Sequence, residues 1–220
     1  MPDLPLTTTE PGRDCPLCPR LVAFREEWRQ KEPTWHNAPV PTFGRLDSRF
    51  LVVGLAPGLR GANRTGRPFT GDFAGTLLYG TLLKFGFASG TFDARPDDGL
   101  TLRDAAITNA VRCVPPENKP TPDEGRTCRR FLTATIEAMP RLLAILALGR
   151  ISHDNVMSAM NAPRPEYPFA HGAEHRVGPL VTVFDSFHCS RLNTNTGRLT
   201  TEMFEAVVGS VRKHLDGAKV

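Results

Sequence analysis

Residues 54–75 read Gly-Leu-Ala-Pro-Gly-Leu-Arg-Gly-Ala-Asn-Arg-Thr-Gly-Arg-Pro-Phe-Thr-Gly-Asp-Phe-Ala-Gly, and no other stretch constrains the fold as tightly. It follows the apolar run Phe50-Leu51-Val52-Val53 and precedes Phe73, Leu77, Leu78, Leu82 and Phe85, which recur at helical spacing, so it joins a strand to a helix. In an open α/β sheet such a junction lies at the carboxyl end of its strand, where ligands bind. Six glycines and two prolines permit tight turns and close backbone approach, while Asn63, Arg64, Thr65, Arg67, Thr70 and Asp72 supply donors and acceptors. A connection this long is seldom a mere linker, although a structural Ω-loop would carry the same glycines. A Walker-type phosphate loop is excluded, because it needs Gly-Lys-Ser/Thr at the helix entrance and no lysine lies between Lys31 and Lys84.

The remaining chain repeats the strand-then-helix pattern. Residues 105–111 read as a second strand that brings Asn109 and Cys113 near its carboxyl end, and residues 142–148 as a continuous apolar strand buried on both faces and closed by Gly149. Residues 180–184 form a fourth strand that delivers Asp185, Ser186, Phe187 and His188. Thr121, Pro122 and Glu124 make a capping box that starts a helix and places Cys128 in its second turn. Residues 151–160 suit a short helix, and Thr200 with Glu202 begins a last one through Phe204, Val207, Val208 and Val211. The pattern predicts one α/β domain over residues 14–216, a three-layer α/β/α arrangement with a central four-stranded parallel sheet, preceded by a flexible proline-rich lead over residues 1–13.

A net charge of +4 and a pI near 9.0 are too mild to establish a nucleic-acid partner. The distribution of cations says more, since Arg60, Arg64 and Arg67 sit in the long loop and Arg191 and Arg198 follow His188. Clustered arginines suit phosphate, the alternative being arginines merely solvated on loops. No apolar run approaches about 18 residues, and the first residues have neither a basic nor a hydrophobic signal region, so a cytoplasmic monomer without a membrane partner is expected. Thiols stay reduced there, and the five cysteines then argue for metal ligation or burial. Cys15 and Cys18 form a Cys-x-x-Cys knuckle and Cys113 and Cys128 a spaced pair, a set that leaves zinc and an iron–sulfur cluster equally open. Cys189 has no partner.

Gly54-Leu55-Ala56-Pro57-Gly58, the run from Asn63 through Asp72, and His188-Cys189-Ser190-Arg191-Leu192-Asn193-Thr194 resemble the signature motifs of the uracil-DNA glycosylase superfamily. The likeness is to its iron–sulfur branch, family 5 (type b) in particular, and runs over residues 15–208. It implies a monofunctional base-excision repair enzyme that hydrolyses the N-glycosidic bond of uracil, and of hypoxanthine and other deaminated or damaged bases, in double-stranded DNA. It also implies a [4Fe-4S] cluster on Cys15, Cys18, Cys113 and Cys128, in a structural role.

Under this resemblance Gly54, Leu55, Ala56 and Gly58 border the base, Phe69 stacks on the pyrimidine, and Asn109 reads its Watson–Crick edge with one donor and one acceptor. His188 donates a hydrogen bond to the uracil O2 as charge develops there. Arg191 enters the duplex, and Arg64, Arg67, Ser190 and Asn193 meet phosphate. The chain departs from family 4 directly after Gly54, where Leu55 replaces a carboxylate, and Asp72 is the substitute expected to act on water. The same residue suits the N-cap of the helix at Phe73, and the two roles are compatible. No lysine lies beside either motif, which argues against Schiff-base chemistry. A non-enzymatic Fe-S or zinc protein would explain the cysteines but not Asn109, His188 and the arginines on one sheet edge; a nucleoside-hydrolysing α/β enzyme is the other alternative.

Overall fold

In the computed structural model residues 8–162 and 164–218 are described. Their strands are β1 (Phe43–Gly44), β2 (Phe50–Gly54), β3 (Ala88–Ser89), β4 (Thr101–Leu102), β5 (Ala105–Asn109), β6 (Ala144–Leu148), β7 (Glu174–Val177) and β8 (Val181–Ser186). Their α-helices are α1 (Pro19–Lys31), α2 (Ala62–Thr65), α3 (Phe73–Lys84), α4 (Pro122–Glu137), α5 (Arg150–Ala159), α6 (Arg191–Asn195) and α7 (Thr201–Gly217).

The central sheet has the order β1-β5-β2-β6-β8-β7. β5, β2, β6 and β8 run parallel and correspond to the apolar runs read from the sequence. The expected count of four strands is corrected to six, because β1 and β7 add antiparallel edges. Neither edge carries a readable signal: β1 is two residues long, and β7 reads Glu-His-Arg-Val, charged as exposed edge strands are. β3 and β4 form a separate antiparallel hairpin.

Two cores make the layers. Phe50, Val52, Ile107 and Leu146 on one sheet face pack against Leu78 and Leu82 of α3 and Phe204, Val208 and Val211 of α7. Leu51, Val53, Ala106 and Ile145 on the other face meet Leu132 of α4 and Val156 and Met157 of α5. Truncating one of these fully buried leucines to alanine would cost about 2–5 kcal/mol. The helix starts follow their caps: Thr121 and Glu124 form the full capping box, Thr200 accepts from the Met203 N–H, and Asp72 accepts from Gly75.

The lead expected over residues 1–13 is docked from Thr9 onward, and residues 1–7 lie outside the described residues. Glu10 forms a 2.8 Å ion pair with the fully buried Arg112 and accepts the Thr42 N–H at 3.1 Å. Arg112 also reaches Thr42 and Thr135 through its terminal nitrogens, so its charge is paired despite burial, while its Nε has no partner among the described residues. Among the described residues no helix is long and apolar enough to cross a membrane.

Candidate active site

The carboxyl ends of β2, β5 and β8 assemble the residues that the motifs single out. The β2–β5 pairing continues past the strands through Ala110 N–H to Gly54 O and Val111 N–H to Leu55 O, both 2.9 Å. This fixes Asn109 opposite Gly54. A β-carbon on Gly54 would lie 2.4 Å from Asn109 Oδ1 and 2.6 Å from Phe69 Cζ, so only glycine lets both side chains close over that point. Asn109 is 2% exposed, and its Oδ1 has no hydrogen-bond partner. A buried acceptor left unpaired costs about 1–3 kcal/mol, a cost that a ligand's N–H would remove.

Phe69 is buried with its backbone at φ 54°, a left-handed conformation unusual for an aromatic residue. Its ring centroid lies 6.0 Å from that of His188, tilted by 30°. His188 follows β8 beside Gly149, whose absent β-carbon would sit 3.6 Å from the His188 Cβ. Burial holds the His188 imidazole down at a pKa of about 4, so at neutral pH it is an uncharged donor. Ala56 packs toward the cysteines and Leu55 toward His188.

Asp72 is the N-cap of α3, as its position before Phe73 suggests, with Oδ1 accepting from Gly75 N–H at 3.2 Å. Its other oxygen lies over the glycine turn, 3.2 Å from a β-carbon built on Gly58 and 2.7 Å from one on Gly61. Burial raises the Asp72 pKa, with backbone N–H groups of Gly75 and Ala74 opposing. Its charge reaches Cys189, the buried neighbour of His188, whose thiol is pushed far up chiefly by burial.

The residues expected at phosphate have unequal surroundings. Arg67 is 5% exposed and forms two hydrogen bonds with Asp98, so it faces inward rather than toward DNA. Asn193 donates through Nδ2 to His188 O at 2.8 Å, and Ser190 caps α6 by accepting the Asn193 N–H, so both side chains shape the His188 loop from within. Arg64 and Arg191 are exposed, the latter with its guanidinium 5.4 Å from the Phe73 ring. Leu192, next in the chain, is 73% exposed, an apolar tip that a lone leucine in a polar loop does not announce. A cavity of about 590 Å³ beside His188 brings in Arg150, His171 and Arg198, which no motif marked as a group. His171 stacks on Phe187 and accepts its N–H at 3.2 Å, and Arg198 lies over the other partner of that stack, 4.6 Å from the Phe187 ring.

Cys15, Cys18, Cys113 and Cys128 come together against Leu21, Val111 and Phe131 around one enclosed cavity. Burial and the neighbouring thiols push Cys18 up to about 11 and Cys113 up to about 12, so the set repels thiolates unless a cation joins it. Arg112 N–H points at Cys128 Sγ at 3.3 Å. Among the described residues, the one group of three potential metal ligands whose donor atoms all lie within 4.8 Å of one another is His153, His175 and Asp185. There Asp185 accepts from His153 Nδ1 at 2.8 Å and His175 Nε2 at 3.0 Å, while His153 Nε2 donates to Tyr167 O. Those contacts lock β7 and the segment at Tyr167 onto the end of β8.

Residues 41–212 match the family described as the Uracil DNA glycosylase superfamily. A type-5 uracil-DNA glycosylase of Thermus thermophilus is 44% identical over 205 residues, covering 90% of this chain and 93% of that one. A type-5 enzyme of Pyrobaculum aerophilum is 39% identical over 89% of this chain and 86% of its own. A type-4 uracil-DNA glycosylase of Thermotoga maritima is 38% identical over half of each chain.

Proposed function

Because the chain belongs to the uracil-DNA glycosylase superfamily, we propose that it removes uracil from DNA by hydrolysing the N-glycosidic bond, the first step of base-excision repair. The observation that carries the reading is the unpartnered Asn109 Oδ1 beside the Phe69 ring. Uracil offers an N3–H to that acceptor and a flat face to the ring, whereas cytosine has no hydrogen at N3. A base in this pocket has been turned out of its stack, and the exposed Leu192 with Arg191 beside it has the form of a wedge for the space left behind. The substrate we infer is therefore double-stranded DNA, held on its backbone by Arg64 and Arg191.

His188, neutral at the working pH, donates to O2 as negative charge gathers on the leaving base. Asp72, half-buried and with one oxygen not used by the helix cap, orients or deprotonates the attacking water. Leu55 contributes no polar contact, so catalysis leans on the leaving group, and hypoxanthine and other deaminated bases fall within range. The product is an abasic site, and the enzyme works as a monomer in the cytoplasm, where its free cysteines stay reduced.

Cys15, Cys18, Cys113 and Cys128 would hold a [4Fe-4S] cluster. Four thiolates can hold zinc or a cluster, and the likeness to the iron–sulfur branch of the superfamily favours the cluster. Bound there, it supplies a cross-link between the Cys15–Cys18 knuckle and the segment that follows Asn109, and takes no part in bond cleavage.

The test is a labelled duplex with a single uracil, incubated with the protein and then treated with alkali. Strand scission at the uracil supports the reading. An inert oligonucleotide beside hydrolysis of free uridine would replace it with a nucleoside-processing enzyme.

A further inference from the structure

We infer that Asp98, which lies in neither motif loop, is a positioning residue for Phe69: its ion pair with Arg67 fixes the backbone turn that presents the Phe69 ring to Asn109. The inference rests on the base-pocket reading above.

Phe69 needs such a device. Its φ of 54° puts an aromatic residue in left-handed backbone, which is strained and persists only when the surroundings over-determine it. On one side Arg67 gives two hydrogen bonds to the Asp98 carboxylate, at 2.8 and 2.7 Å, and a third from Nε to Thr70 Oγ1 at 2.6 Å. Those bonds span residues 67 and 70 and so bracket Phe69. Inside the bracket, Tyr79 donates its hydroxyl to Pro68 O at 2.6 Å. The Phe69 carbonyl rests on Gly75, where a β-carbon would come within 1.8 Å of it.

Arg67 is held equally firmly. Its guanidinium lies 5.4 to 5.8 Å from the ring centroids of Phe43, Tyr79 and Phe92, and the Arg67 and Asp98 side chains are 5% and 0% exposed. Such a bidentate pair has one geometry rather than many. Asp98 in turn accepts the N–H groups of Asp93 and Leu100, at 2.9 and 3.1 Å, so the connection between β3 and β4 is wound around its carboxylate. The chain of contacts runs from that hairpin through Arg67 to the turn at Phe69. Every polar contact of the Arg67 guanidinium ends on Asp98 or on the turn itself.

The experiment is a double-mutant cycle of Asp98→Asn with Phe69→Leu, read as single-turnover excision of uracil and as affinity for undamaged duplex. Asn keeps the shape and removes the charge. Asp98→Asn should slow excision about 10- to 100-fold, the scale of a misplaced reacting group, with duplex affinity kept. In the Phe69→Leu background the same change should cost less than about twofold, because Asp98 acts through the ring. Equal losses in both backgrounds would overturn the inference and make the pair a general brace. An activity-free arm separates this from failure of the proposed reaction. In a Phe69→Trp protein, Asp98→Asn should raise iodide quenching of the introduced indole as it leaves its buried place, and unchanged quenching would also overturn the inference. Should Asp98→Asn fold poorly, Arg67→Lys, which keeps the charge and loses the fork, is read in both assays with the same expectations.

Discussion

Asn109 Oδ1 occupies the space that any side chain on Gly54 would need, 2.4 Å from where a β-carbon would be. Gly54→Ala must therefore displace either the amide or the Phe69 ring. Uracil excision should drop at least about 100-fold, as expected when a reacting geometry shifts by an ångström, while binding of undamaged duplex is retained. Rates measured under single turnover decide the matter, and a near-wild-type rate would mean that the pocket is elsewhere.

The roles proposed for Asp72 and His188 can be separated by substitution. Asp72→Asn keeps a good helix cap, so a fall of about 10²–10⁴-fold in the single-turnover rate without loss of thermal stability would isolate its action on water. His188→Ala removes the donor to the leaving base and should be partly rescued by 5-fluorouracil, whose departing anion needs less help. Equal rescue of both variants would refute this division.

The desolvated His188 imidazole gives a signed pH dependence. Its folded-state pKa lies near 4, below the ordinary 6.5, so the unfolded chain takes up a proton there that the folded protein refuses. Stability from this residue is complete above 6.5 and drains away as pH falls toward 4. His188→Gln should flatten that part of the urea-unfolding profile between pH 7 and about 4.5. His153 has the opposite sign: the Asp185 carboxylate beside it raises its pKa, so its contribution is full below the ordinary histidine range and is lost as pH rises through the raised value.

For the cysteines, protein prepared without oxygen should be brown, with about four irons per chain, and Cys113→Ser should lose iron and thermal stability together. Colourless protein carrying one zinc would contradict the cluster.

The exposed and buried arginines should separate in salt titrations. Arg64→Gln and Arg191→Gln should each lower the salt slope of duplex binding by about one. Changing the Arg67–Asp98 pair should leave the slope alone.

That last contrast shows where sequence reading stops. Arg64 and Arg67 look alike in a loop of arginines, yet one is exposed and the other is 5% exposed, because the partner that buries Arg67 stands 31 residues away in a hairpin with no motif. Local pattern carries no information about such a pairing. The place of Asn109 at its strand end was legible for the opposite reason: a polar amide in the apolar run Ala-Ala-Ile-Thr-Asn is anomalous before any fold is known. The four central strands were legible because burial on both faces forces continuous apolar runs. The edges were not, since a two-residue strand and a charged one owe their pairing to their neighbours.

The latch of Glu10 on Arg112 has a consequence for the order of events during synthesis. Cys15 and Cys18 leave the ribosome with nothing to hold, and Cys113 follows 98 residues later, about 5–20 s at ordinary elongation rates. Through that interval the knuckle is half of the cysteine set. Arg112 follows β5, so the ion pair that holds Glu10 can form only once that part of the chain has emerged. The closure entropy of so long a loop is met by the sheet, not by the thiols. The four thiols are thus gathered by the fold of the segments around them.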